Sequence, residues 1–140
     1  MARIPRVLSI AGTDPTGGAG VQADLKSIAA AGGYGMSVVT ALVAQNTQGV
    51  REIHTPPQAF LLAQLDAVFD DVDVDAVKIG MLGDAETTAT VANYLAAHPV
   101  PVVVVDPVMV ATSGDRLLSA DAEDALRQLV RDHATVVTPN

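Results

Sequence analysis

The chain has no cysteine, which excludes disulfides, a thiolate nucleophile and any cysteine-held metal. Positive charge is scarce too. Eight Lys and Arg stand against sixteen Asp and Glu, a formal net charge of −8, and the cations form no block. That balance argues against nucleic acid or an anionic membrane as partner. The N-terminal stretch MARIPRVLSIAGTD holds too short an apolar run for a secretion signal or a membrane span, so the expected compartment is the cytoplasm. There is no Gly-x-x-x-x-Gly-Lys-Ser/Thr phosphate loop, no internal repeat, no low-complexity segment and no linker. What remains is a chain of 140 residues, 49% hydrophobic, long enough to bury a core as one domain.

Apolar runs and amphipathic segments alternate along it. Val7–Ala11 reads as a strand and Gly20–Ala31 as a helix, closed by Gly32 and Gly33 at the position that favours a left-handed residue. Met36–Ala44 is β-rich, and Gly49–His54 fits a short companion strand. Thr55-Pro56-Pro57-Gln58 has the form of a capping box with proline at the first helical position. Leu61, Leu65, Val68 and Phe69 then share one helix face. Ala76–Ile79 reads as a strand and Ala85–Ala97 as a helix stopped by His98 and Pro99. The four valines Val102–Val105 suit a strand buried on both faces. Ser119 is placed to cap a last helix carrying Ala122, Ala125, Leu126, Leu129 and Val130 on one face, and Thr135–Thr138 reads as a final strand. Repeated strand-then-helix order predicts a three-layer α/β domain with a mostly parallel sheet.

Ligands of such sheets sit outside the carboxyl ends of the strands. That rule selects the loops Gly12–Ala19, Gln45–Gln48, Gly80–Gly83 and Asp106–Asp115. The first belongs to VLSIAGTDPTGGAGVQAD, where a strand breaks into a loop with four glycines and a helix begins. Backbone N–H groups and a helix N-terminus then converge on one spot, favouring an anion or a polar small molecule. Gly18 to Ala23 formally matches Gly-x-Gly-x-x-Ala, but it starts too far past the strand, and after Asp24 the next acid is Glu52. Both details count against a dinucleotide site. Asp106, after the valine strand, suits either a Mg²⁺ ligand near phosphates or a local turn cap. The Gln45 amide carries donor and acceptor together, as reading a ring nitrogen and its amino group requires; a loop amide bonded to backbone is the plainer alternative. Lys78, inside an apolar strand, is more simply explained by an edge position or a snorkelled stem. Met81 and Val108 pass as ordinary core residues.

AGTDPTGGAGVQADLK, ALVAQNTQGV, KIGMLGD and VVDPVM followed by SGD occur in this order. With them the chain resembles the hydroxymethylpyrimidine/phosphomethylpyrimidine kinases of thiamine biosynthesis, from about Ile4 to Asn140. The resemblance implies a ribokinase-like α/β/α fold and phosphoryl transfer from ATP with Mg²⁺. The acceptors would be 4-amino-5-hydroxymethyl-2-methylpyrimidine and then its monophosphate. It also implies that Gln45 contacts the amino and ring-nitrogen edge, that Ala19, Val43, Met81 and Val108 line the ring, and that Gly12 belongs to the same substrate site. Asp24 would lie near the substrate's polar groups. Asp106 would organise Mg²⁺ and phosphates, with Asn140 on the ATP side.

The family's catalytic base is an Asp in a Gly-x-Gly-Asp motif that does not occur here, and its Thr-Pro-Asn-x-x-Glu magnesium motif begins at Thr138 and stops at Asn140. Residues 1–140 are therefore expected to form the amino-terminal part of one kinase domain, apparently truncated and inactive alone, within a family expected to dimerise. A pyrimidine-binding fragment, a split-enzyme subunit and a pyridoxal-type kinase are the alternatives.

Overall fold

The computed structural model describes residues 2–109, 111 and 113–139. Seven strands and four helices follow one another in the order β1 (Arg6–Ala11), α1 (Gly20–Ala30), β2 (Tyr34–Val39), β3 (Leu42–Asn46), β4 (Gly49–His54), α2 (Gln58–Phe69), β5 (Ala76–Ile79), α3 (Ala85–Ala97), β6 (Val102–Val105), α4 (Ala122–His133) and β7 (Val136–Val137). Five strands make one sheet in the order β2-β1-β5-β6-β7, every pair parallel. β3 and β4 form a separate antiparallel hairpin.

This order fixes the layers. The chain leaves β1 toward β2, then returns past β1 to build β5, β6 and β7 on the other side. Crossovers between parallel strands are right-handed, so reversing the direction of travel moves the connecting helices to the opposite face. α1 accordingly packs on the face of Val7, Ser9 and Gly35, where a Cβ on Gly35 would meet Leu25 and Ile28 of α1. α2, α3 and α4 cover the other face. There Leu8, Ile10, Val38, Val77, Ile79, Val103 and Val105 pack with Leu61, Leu65, Val91, Leu95, Leu126 and Leu129. Fully burying side chains of this size contributes roughly 1.5–3 kcal/mol each, which makes this side the main core.

Several expectations change in detail. The β-rich run from Met36 does not continue to Ala44. The chain turns at Thr40, whose hydroxyl donates inward to the Met81 carbonyl at 2.6 Å, and only then enters the hairpin. α2 begins at Gln58 with Pro57 at its cap and no side-chain cap bond, so residues 55–58 form no capping box. Gln58 instead reaches across to Thr87 and Thr90 of α3. Ser119 does not cap α4 with its side chain. Its carbonyl accepts the Ala122 N–H, while its buried Oγ has no partner among the described residues. β6 is buried on one face only: Val103 and Val105 are buried, whereas Val102 is 38% exposed, Val104 is half-buried, and Val136, paired with Val104 in β7, is 48% exposed. α1 does not extend over that flank. No helix among the described residues is long and apolar enough to cross a membrane.

Candidate active site

The direction of the crossovers reverses between β1 and β5, and adjoining loops part there to leave a crevice. A cavity of about 480 Å³ opens at that point, at the carboxyl ends of the strands. The glycine loop after β1, the end of the β3–β4 hairpin, the end of β5 and the loop after β6 all contribute to it. Gly12, Ala19, Asp24, Gln45, Met81, Asp106 and Val108 line the cavity. Val43 stands behind the wall: it is buried, packs with Ala41 and Met81, and is not among the lining residues. Asn140 lies outside the described residues.

The glycine loop is organised by a carboxylate that the sequence reading did not single out. Asp14, only 5% exposed, accepts from the N–H groups of Thr16, Gly18 and Ala19 at 2.9–3.0 Å and from the Thr16 hydroxyl. Its own N–H donates to Gln22 Oε1 on α1. Burial works against the charged form, but the Thr16 hydroxyl and the N–H groups of Thr16, Gly18 and Ala19 outweigh it and hold the carboxyl below the ordinary value of 3.8. The loop is thus wound around its own anion, and those N–H groups do not point at the cavity as free donors. Asp-Pro-Thr-Gly after a strand carries the signal, since Asp side chains bond backbone N–H groups a few residues on. Two glycines permit the close packing. A Cβ on Gly12 would sit 3.0 Å from Met81 Sδ, and Gly20, at φ +59°, lies with its Cβ position 2.4 Å from the Gly12 carbonyl oxygen.

Gln45 Nε2 donates to the Thr13 carbonyl at 3.1 Å, and Thr13 Oγ1 accepts the Val43 N–H at 2.9 Å. The amide is therefore bonded to backbone, as the plainer alternative held. One N–H bond still leaves its oxygen and second hydrogen without partners among the described residues, so the anchored amide presents an acceptor beside a donor. Met81 and Val108 add apolar surface to the same cavity.

Lys78 is not at an edge. β5 is the middle strand of the sheet, and the Lys78 ammonium meets both oxygens of Asp24 at 3.0 Å. The Ser9 hydroxyl donates to the same carboxylate at 2.7 Å. Side-chain exposures of 25% and 17% make this a half-buried pair. Gly80 makes room for it, since a Cβ there would come within 3.2 Å of Nζ. Three carboxylates line the cavity: Asp14, Asp24 and Asp106. The first two are engaged within the protein, whereas the carboxylate of Asp106 accepts no hydrogen bond among the described residues. Those residues contain no group of three or more His, Asp or Glu side chains able to enclose a metal by themselves.

The sequence family described as phosphomethylpyrimidine kinase matches residues 14–140. The chain belongs to this family. Within it, a thiamine biosynthesis multifunctional protein of Corynebacterium glutamicum is 70% identical over 136 residues, 97% of this chain and 18% of that protein. The hydroxymethylpyrimidine/phosphomethylpyrimidine kinase of Salmonella typhimurium is 52% identical over the whole chain and 52% of its own length. The chain therefore spans about half the length of the curated kinases it matches. A crystal structure of the phosphomethylpyrimidine kinase of Clostridium difficile superposes with a TM-score of 0.90 at 43% identity, covering 97% of this chain and 59% of that one. The pyridoxal kinase of Staphylococcus aureus in complex with AMP-PCP and pyridoxal gives 0.84 at 34% identity, covering 99% and 49%. The ribokinase-like α/β/α fold expected from the motifs is the one these kinases share.

Proposed function

We propose that this chain supplies the acceptor pocket of an enzyme that phosphorylates 4-amino-5-hydroxymethyl-2-methylpyrimidine, and then its monophosphate, from ATP in thiamine biosynthesis. The carrying observation is the Gln45 amide, fixed by Thr13, in the wall of the same cavity as the apolar Met81 and Val108, with room for a small heteroaromatic ring. In this reading Gln45 takes the ring nitrogen and amino group, while Gly12, Ala19, Met81 and Val108 enclose the ring and Val43 supports them from behind. Asp24, oriented by Ser9 and Lys78, accepts from a polar substituent of the pyrimidine. Catalysis of this type consists of positioning and charge stabilisation, plus a carboxylate that accepts the hydroxyl proton.

Asp106, the unengaged carboxylate, fits a Mg²⁺ held mostly by nucleotide phosphates and water, a mode that needs only one or two protein carboxylates. When bound, the ion would neutralise charge on the transferred group. Asn140 would belong to the nucleotide side. With Asp106 assigned to the ion and Asp14 and Asp24 engaged within the protein, no lining carboxylate among the described residues is left to take the hydroxyl proton, so the 140 residues alone are expected to bind the acceptor without turning it over. A dimer in the cytoplasm is the expected setting of the complete enzyme.

Calorimetric titration of the chain with 4-amino-5-hydroxymethyl-2-methylpyrimidine, alongside Gln45→Ala, tests the proposal. The substitution removes a paired donor and acceptor and should weaken binding by about 10- to 100-fold. Tighter binding of pyridoxal than of the pyrimidine would favour the pyridoxal-type reading, which the likeness to pyridoxal kinases supports. Equal affinity of the parent and Gln45→Ala would end the reading of Gln45.

A further inference from the structure

Two walls of the cavity come from parts of the chain with little else to join them. Gln45, Asn46 and Thr47 lie at the end of the β3–β4 hairpin, and Val108, Ala111, Ser113 and Leu117 lie on the segment between β6 and α4. The hairpin pairs with neither neighbour in the main sheet. Its register slips between Ala44 and Gln45: Ala44 faces Glu52 while Gln45 faces Val50. Arg51 is skipped, and the slip redirects the neighbouring backbone, as bulges do. Across the gap, Asp115 accepts the Val50 N–H at 3.0 Å over a separation of 65 residues. The same oxygen receives the Ser113 hydroxyl and lies 3.3 Å from the Cβ position of Gly49, whose φ of +153° keeps that side of the turn open. Beneath this polar link, Val50, Val108 and Leu117 pack against Ala41, Val43 and Met81. Asp115 itself does not line the cavity.

We infer that Asp115 is a latch: it clasps the β3–β4 hairpin to the segment after β6 and so controls how far the acceptor pocket opens. The clasp is local enough to release. One backbone hydrogen bond and a small apolar cluster hold the hairpin to this segment, while Thr13 separately fastens β3 to the glycine loop through the Val43 N–H and the Gln45 amide. The Ser113 hydroxyl, and after it the Val50 N–H, hold the Asp115 carboxyl below its ordinary value, against some cost of burial. The role of the latch in ligand entry rests on the acceptor-pocket reading above, whereas the clasp itself does not.

Hydrogen exchange of the full chain tests it. Asp115→Ala should speed exchange at the Val50 amide about tenfold, while amides of β1 and β5 keep their protection and report an intact fold. Asp115→Asn retains an acceptor oxygen and should restore most of the protection. Unchanged Val50 exchange in Asp115→Ala overturns the latch. Because the chain has no cysteine, spin labels at Gln48→Cys and Arg116→Cys read the opening directly. The distance distribution should broaden and lengthen when Asp115→Ala is added, and coincident distributions would refute control of opening. With the pyrimidine bound, its dissociation from Asp115→Ala should be faster than from the parent; an equal rate would refute gating. If the parent does not bind the pyrimidine, the substrate reading falls, and the exchange and distance measurements still decide the latch.

Discussion

Replacing Gly20 by alanine isolates the contact that seats α1 against the glycine loop. Gly20 has φ +59°, where an L side chain costs about 1–2 kcal/mol. Its Cβ position lies 2.4 Å from the Gly12 carbonyl oxygen and 3.2 Å from the carbonyl carbons of Gly12 and Thr13. That is roughly 1 Å inside ordinary contact, and the obstacle is backbone, so no side chain can swing away. The same Gly12 oxygen accepts the Val21 N–H at 2.9 Å, so withdrawing α1 strains that bond as well. Overpacking of this kind adds about 1–3 kcal/mol, for a total near 3 kcal/mol.

Gly32→Ala is the matched control. Gly32 has φ +83° with nothing within 4 Å of its Cβ position, and should lose only the dihedral term of about 1–2 kcal/mol. Urea unfolding at constant m reads both directly. With m near 1.5 kcal/mol/M, Gly20→Ala should lower the midpoint by about 2 M and Gly32→Ala by about 1 M. Equal shifts would refute the steric argument, and a loss below about 1 kcal/mol for Gly20→Ala would refute both terms.

Asp14 gives a pH dependence of definite sign. Its folded carboxyl is held below the ordinary 3.8, so its stabilisation is complete above that value and declines as pH falls toward the folded value. Asp14→Asn should lower stability at neutral pH and flatten the acid limb, read by urea midpoints across pH; an unchanged limb would show that the loop bonds contribute nothing. Lys78→Met leaves the half-buried Asp24 with Ser9 alone. Allowing for partial exposure, the cost should be about 2 kcal/mol, with weaker pyrimidine binding by calorimetry; a variant as stable as the parent would argue against a structural role for the pair. In the main core, Leu65→Ala removes a side chain with 0% exposure and should cost about 2–5 kcal/mol in the same unfolding assay, more than any exposed substitution on α2.

Segments governed by local pattern were legible residue by residue. Gly49–His54, Ala76–Ile79, Ala85–Ala97 and Val102–Val105 form with the expected bounds, because periodicity and flanking Gly or Pro specify them without help from distant residues. The rest depended on partners far along the chain. The break at Thr40 is made by the Met81 carbonyl, 41 residues away, and Gln58 turns from capping toward Thr87 and Thr90. Lys78 read as an edge residue or a snorkelled stem because a cation inside an apolar run is costly unless paired; its partner Asp24 lies 54 residues earlier. The one-sided burial of β6 depends on where α1 sits. At the site, the loops followed from topology, since the end of a strand is visible in sequence. The clasp of Asp115 on Val50 was not, because hydrogen bonds between loops leave no periodic trace.

The anion at the centre of the glycine loop has a thermodynamic corollary. Asp14 saturates the N–H groups of Thr16, Gly18 and Ala19 before any ligand arrives, so the ordering cost of that segment is incurred once, during folding. An entering molecule finds a finished wall rather than a chain to be gathered. Its association should therefore carry only the heat-capacity change of the surface it covers, with no added contribution from loop condensation. Under the proposed reading, discrimination among ligands falls to ring shape and to the Gln45 edge, because the N–H groups of Thr16, Gly18 and Ala19 are already taken by Asp14.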